Sequence, residues 1–195
     1  METFTLGHPY LAGFVKFAVL ATAGELLAGA LAGKGFVKPY GLVSRVIVWG
    51  LMGISITLVF KIFYVASSQL LATGLLPGGD HPFWTALWTA SLMNGCFGPT
   101  MMGGHRVFDA WLDLKAHGEG SQSLTAAMNA VDWGGFGSFV IAKTIPFFWI
   151  PAHTMVFLLP EQYRVIAAAF LSIALGVLLA LASARKKNMV AEAAS

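Results

Sequence analysis

Five ionisable side chains stand inside stretches of this chain that carry almost no other charge: Lys16, Glu25, Lys61, Lys143 and His153. A charged group placed in hydrocarbon costs roughly 2.5–3.5 kcal/mol on insertion scales, so each needs a reason for being there. Glu25 lies in "TAGELLAG", among small residues that let helices approach closely. Its carboxylate suits two roles. It can face an internal polar path, paired with Lys61 or Lys143, or it can form a single ion pair that holds two helices in register. For Lys16 and Lys143 the plainer reading is a long stem snorkelling to the membrane border. His153 sits in "PFFWIPAHTMVFLLPEQYR", residues 146–164. There it can exchange a proton with a polar interior, or bond a backbone carbonyl of a neighbouring helix beside Trp149.

Two further stretches have chemistry to offer. "MNGCFGPTMMGGH", residues 93–105, combines Asn94 with Gly98 and Pro99. Proline removes a backbone donor and glycine weakens the helix around it. A broken helix at membrane depth persists where it is buried in protein or lines a cavity, to which Asn94 could present its amide. "GHRVFDAWLDLK" puts His105, Asp109 and Asp113 at successive four-residue spacings on one helical face. Histidine with carboxylates suits several divalent metals. Three ligands on one straight face seldom close a coordination shell, however, and a solvated amphipathic end with Arg106 paired to Asp109 is the plainer expectation. No Ser/His/Asp or Cys/His order and no HExxH motif is present, and Gly33 to Gly35 reads "GKG" rather than a phosphate-binding loop. None of these motifs points to an enzyme, and no cofactor is expected.

The elements that carry these residues are membrane-spanning helices. Of 195 residues 57% are hydrophobic and 11% charged, against about 25% charged in a soluble domain. The apolar runs, such as "IAAAFLSIALGVLLALA", are continuous and lack the alternation of barrel strands. Without water to bond the backbone, a continuous apolar span has to be helical. The expected fold is an all-α polytopic membrane protein with about five helices in one bundle, a single transmembrane domain over 1–195. Spans are expected at about 10–31, 44–75, 82–104 with a helical extension to 115 and a break at Gly98–Pro99, 133–158, and 163–184. Pro146 and Pro151 should kink the fourth. A polar stretch between the third and fourth spans has the composition of a short surface helix. His8-Pro9 and His81-Pro82 each open a hydrophobic helix, a weak hint of parallel duplication.

Basic residues flank the spans unevenly, which orients them. Lys34, Lys38 and Arg45 put the first loop on the cytoplasmic or matrix side, as Arg185, Lys186 and Lys187 do the C-terminal end. "PGGDHPF" carries no Lys or Arg and should face outward with the N-terminus. The net charge of +3 comes from these clusters, which argues against nucleic-acid binding. A single cysteine, Cys96, excludes an intramolecular disulfide. The N-terminal residues have neither a basic leader with a cleavage site nor the Arg- and Ser-rich character of a mitochondrial presequence.

Four stretches together resemble the family of the twenty-two-kilodalton peroxisomal membrane protein and its mitochondrial inner-membrane relative, Mpv-seventeen. "HPYLAGFVKFAVLATAGE" is similar to the family's His-Pro followed at the same distance by Gly-Asp, here Gly24-Glu25. Arg45 and Phe63-Tyr64 look like its Arg and Trp-Tyr. "MNGCFGP" is similar to Asp-Gln-Gly-Gly-Phe-Ala-Pro, with Asn94, Gly95, Phe97 and Pro99 in place. The stretch ending "LPEQYRV" resembles the family's closing signature. The likeness runs from about Gly7 to Lys186. Met93 stands where the family has Asp, Thr57-Leu58 replace a Gly-Pro, and the Gln and Asn of the closing signature are apolar or absent. These departures mark a remote member, with a bacterial cell membrane favoured over an organelle inner membrane.

The resemblance implies a weakly selective channel or facilitator for small metabolites. Glu25, Lys61, Asn94, Lys143 and His153 would line its path, and the bilayer and small solutes would be its partners. Two other functions remain open from the residues. A non-transporting accessory subunit, or a homo-oligomer, would use the small-residue faces Gly24, Gly29, Gly33 and Gly134, Gly135, Gly137 against partner helices. A membrane-embedded enzyme would use His105, Asp109 and Asp113.

Overall fold

A computed structural model describes residues 2–31, 39–118 and 122–193, with side chains for 3–31, 39–118 and 122–178. Lys34, Lys38 and Gly33 to Gly35 lie outside the described residues, as do the side chains of Arg185, Lys186 and Lys187. All regular structure among the described residues is helical. The order is α1 (Glu2–Gly7), α2 (Pro9–Gly29), α3 (Leu42–Ala72), α4 (Pro82–Cys96), α5 (Gly98–His117) and α6 (Leu124–Ala130). A composite helix follows, made of α7 (Trp133–Gly135), a π-helical segment (Phe136–Trp149) and α8 (Ile150–Leu158), and then α9 (Glu161–Ala193).

Among the described residues, four helices are long and apolar enough to cross a membrane: Pro9–Gly29, Leu42–Ala72, Trp133–Leu158 and Glu161–Leu178. They fit an integral, multi-pass membrane protein. The region expected as a further span is divided. Helix α4 ends at Cys96 after 15 residues, and α5 starts at Gly98 with Pro99 in its first turn. Proline has no N–H to return to the carbonyl of Gly95, and Phe97 takes up the break. The later part of α5 carries Arg106, Asp109, Asp113 and Lys115, which makes it amphipathic rather than apolar. It ends at His117, where Gly118 adopts φ +68° and donates to the carbonyl of Leu114. That left-handed turn is a conformation glycine alone takes without strain.

Packing divides the chain into two compact units, one comprising 1–57 and 162–195 and the other 58–161. In the first unit, α2 meets α3 where Gly13 faces Gly53. A Cβ on Gly13 would collide with the hydroxyl of Thr57 and lie 2.8 Å from the carbonyl oxygen of Gly53. A Cβ on Gly53 would in turn meet the Gly13 carbonyl. The two backbones touch because neither residue has a side chain, the small-residue device of membrane helices. A second seam joins α2 to α9. A Cβ on Gly24 would lie 2.6 Å from Cγ1 of Ile173, and Ala28 approaches Gly176. Gly24 is thus filled by the chain's own α9, not held open for a partner helix. Gly29 and Gly137 have open space around them, and Gly134 and Gly135 face Asp132.

In the second unit, α4 packs on α8 and on the π-helical segment, and α5 packs on α6. The expected surface helix is α6, N-capped by the Ser123 hydroxyl, with Leu112 of α5 and Ala127 of α6 both buried. The composite helix does more than kink at its prolines. Pro146 lies inside the π-helical segment, and α-helical winding resumes at Ile150, with Pro151 in the first turn of α8. The N–H of Ile150 bonds Ile145, five residues back, and the Thr144 hydroxyl reaches the Phe139 carbonyl at the same spacing. Wide winding of this kind is usually confined to single turns and is frequent at functional sites. The two His-Pro pairs behave differently. His81 caps α4, its Nδ1 accepting from the N–H of Phe83 at 3.2 Å, whereas the His8 side chain makes no capping bond.

Candidate functional site

The structure gathers polar groups into two clusters, one in each unit. The first is built on Glu25. The small residues around it let α2 lie close to its neighbours, and the carboxylate meets Arg45 in the first turns of α3. Arg45 Nη1 bonds Glu25 Oε1 as an ion pair. Trp49, one helical turn further along α3, donates from Nε1 to Glu25 Oε2 at 3.0 Å. Arg45 Nε also donates to the Tyr40 carbonyl at 3.3 Å. The arginine side chain is only 10% exposed and the glutamate 29%, so the pair is largely withdrawn from water. Glu25 therefore finds an arginine and an indole in place of the lysine partners expected for it. Arg45, expected as a charged flank of the first loop, is a buried member of the cluster. Its one-turn spacing to Trp49 was the available signal.

The second cluster joins Asn94 to His153. Asn94, near the end of α4, is 2% exposed, and His153, in α8, is 8% exposed. The amide Nδ2 donates to the Ala90 carbonyl at 2.7 Å, which identifies the nitrogen end of the amide. His153 Nδ1 then lies 3.0 Å from Asn94 Nδ2 and 3.1 Å from Oδ1, so the amide can serve either imidazole tautomer. The histidine partner is thus an amide rather than the backbone carbonyl expected. Trp149 stacks on the imidazole with centroids 5.2 Å apart, and Phe60 meets it edge-on at 5.8 Å. Phe157 packs against Phe60, and Tyr64 stacks on Phe157. A polar pair is thereby set in an aromatic surround, next to the place where π-helical winding ends.

The remaining candidates fall elsewhere. Lys61 is exposed and pairs with Glu161 at 3.1 Å. Lys16 reaches back to the Thr5 hydroxyl on α1 at 3.0 Å, the direction expected of a snorkelling stem. Lys143 is exposed on the π-helical segment. Of the helix-breaking residues, Gly98 is buried beneath Ile145, while Pro151 is exposed. His105 pairs with Asp109 at 2.9 Å, in place of the expected Arg106–Asp109 pair. Arg106 instead lies over the ring of Phe136, 5.6 Å from its centroid. Among the described residues no group of three His, Cys, Asp or Glu side chains is placed to hold a metal, and His105, Asp109 and Asp113 do not converge as one.

No family model, curated protein or solved structure matches the chain.

Proposed function

We propose that the protein is a passive, weakly selective route for small metabolites across a membrane, built from five spans in one bundle and seated in a bacterial cell membrane. The third span in this reading is α4 continued through the break at Phe97 into α5. The observation that carries the reading is the buried Asn94–His153 pair, held against a stretch of helix whose prolines leave carbonyls without their usual donors. An apolar anchor has no use for such a pair, whereas a polar path at membrane depth needs groups of this kind. Support also comes from the family resemblance. Residues of its motifs are engaged within each unit: Glu25 pairs with Arg45, Asn94 meets His153, and Tyr64 stacks on Phe157.

The test is solute release from vesicles containing the purified full-length protein. Small metabolites and dyes should leave protein-containing vesicles faster than protein-free ones, and Asn94→Leu should change that rate. Equal release from the two kinds of vesicle overturns the proposal.

A further inference from the structure

The buried polar side chains of the second unit are hydroxyls, an amide and an imidazole. Among its described residues they are Ser67, Thr89, Asn94, Thr144, His153 and Thr154. Arg45, the charged side chain buried among the described residues, belongs to the other unit. The elements packed around His153 bring little charge to it. Helix α4 has no Asp, Glu, Lys or Arg, the π-helical segment has only Lys143, and α3 within this unit has only Lys61. Both lysines are exposed, and Lys61 is paired with Glu161. An imidazole of ordinary acidity is itself mostly uncharged at about pH 7.5.

Three of these groups are placed to bond something that moves past them. Asn94 and His153 bond to each other. Phe60, Tyr64 and Ser67 follow at spacings of four and three, on one face of α3. Phe60 meets His153 and Phe157, and Tyr64 stacks on Phe157. Ser67 is therefore next in that row, about 10 Å along the helix from Phe60. Its side chain is wholly buried, and its hydroxyl bonds nothing among the described residues. A helical hydroxyl can turn back to the carbonyl four residues earlier, as Thr89 does to Thr85. Ser67 does not, and a buried hydroxyl left without a bond calls for an explanation.

We propose that the route through this cluster favours small uncharged solutes bearing hydroxyl groups over ions, with Asn94, His153 and Ser67 bonding them in passage. The proposal rests on the passive-route reading above and names its solute class. A hydroxyl both donates and accepts, so it can enter the Asn94–His153 bond and leave both partners satisfied. It accepts from the amide N–H and donates its own O–H to the imidazole nitrogen. Phe60, Trp149 and Phe157 offer ring faces to the solute's carbons, and apolar walls with a few polar groups are the usual make-up of a small-molecule site. An ion finds no buried charge of opposite sign in this unit to offset the loss of its water.

Vesicles containing the full-length protein at about pH 7.5 test it. Erythritol entry is followed by stopped-flow light scattering, and potassium and chloride release by ion-selective electrodes, each corrected for protein-free vesicles. Permeability to erythritol should exceed that to either ion by about tenfold or more, since the ions alone lose hydration that the cluster does not replace. Ser67→Ala should lower erythritol permeability about threefold, the worth of one neutral hydrogen bond. The hydroxyl it removes is unbonded, so its unfolding midpoint should hold or rise, which separates a bond to the solute from a structural role. His153→Phe should lower erythritol permeability by about tenfold, and His153→Gln by less, because an amide still donates and accepts. Ions passing as fast as erythritol or faster, or erythritol permeability indifferent to both Ser67→Ala and His153→Phe, overturns this proposal alone. No protein-dependent permeability to any of the three, from correctly inserted protein, overturns the passive-route reading with it.

Discussion

Replacing Glu25 with alanine removes the carboxylate to which Nη1 of Arg45 and Nε1 of Trp49 both donate. Removing one member of a buried ion pair costs roughly 3–5 kcal/mol, because the surviving charge stays buried without compensation. Here the arginine side chain is 10% exposed and keeps its bond to the Tyr40 carbonyl, and water can enter where Glu25 was 29% exposed. Those two facts bring the expected loss down to about 2–3 kcal/mol, a factor of roughly 30–150 in the unfolding constant. Glu25→Gln keeps one acceptor oxygen but loses the charge and turns an NH2 towards the other donor, so it should recover little of the loss. The decisive variant is the double substitution Glu25→Met with Arg45→Met. It leaves no orphaned charge and should cost less than the two single changes added together, with a coupling of about 1.5 kcal/mol or more. Equilibrium unfolding in mixed micelles with increasing dodecyl sulfate, followed by far-ultraviolet circular dichroism, measures the unaltered protein and every variant, including Glu25→Met and Arg45→Met singly. Single and double losses that add to within about 0.5 kcal/mol would refute the account of Glu25 as the anchor of a buried pair.

Gly53→Ala should destabilise by about 1–2 kcal/mol, because its Cβ meets the Gly13 backbone, which cannot swing aside, and this outweighs the better helix propensity of alanine. Gly104→Ala, with open space around it in α5, should instead stabilise by about 0.5–1 kcal/mol; the same unfolding titration reads both, and equal signs would refute the close crossing. Asn94→Leu should cost about 1–3 kcal/mol by leaving His153 Nδ1 unbonded in an aromatic surround. Restoration of stability by Asn94→Leu with His153→Phe would identify the polar pairing as the cause, and no recovery would count against it. Gly118→Ala should cost about 1 kcal/mol through its left-handed backbone, seen as a lower unfolding midpoint without a change in helix content.

Much of the helical framework was legible because it follows from solvation. A run of apolar residues in lipid must bond its own backbone, so the spans around 10–31, 44–75, 133–158 and 163–184 could be read without knowing what they touch. The break near Gly98–Pro99 was legible for an equally local reason, the missing N–H of proline. The further span expected at 82–104 was less so, since whether α4 and α5 act as one depends on how the chain continues through Phe97. Proline marked the composite helix as irregular, but not as π-helical. Winding is a property of the whole turn and of what packs on it.

Pairing was the least legible feature. The other charges within apolar runs are lysines, so the sequence offers Glu25 those as partners, while its partner is an arginine at the start of the next helix. Charge and depth are written residue by residue, so the sequence alone determined that this protein is helical, fits a membrane and carries polar groups inside its spans. Which of those groups meet depends on the rotation of each helix about its axis and on which backbones come close enough to touch. Both are decided by side-chain packing such as Gly13 on Gly53 and Gly24 under Ile173, and only the tertiary structure supplies it.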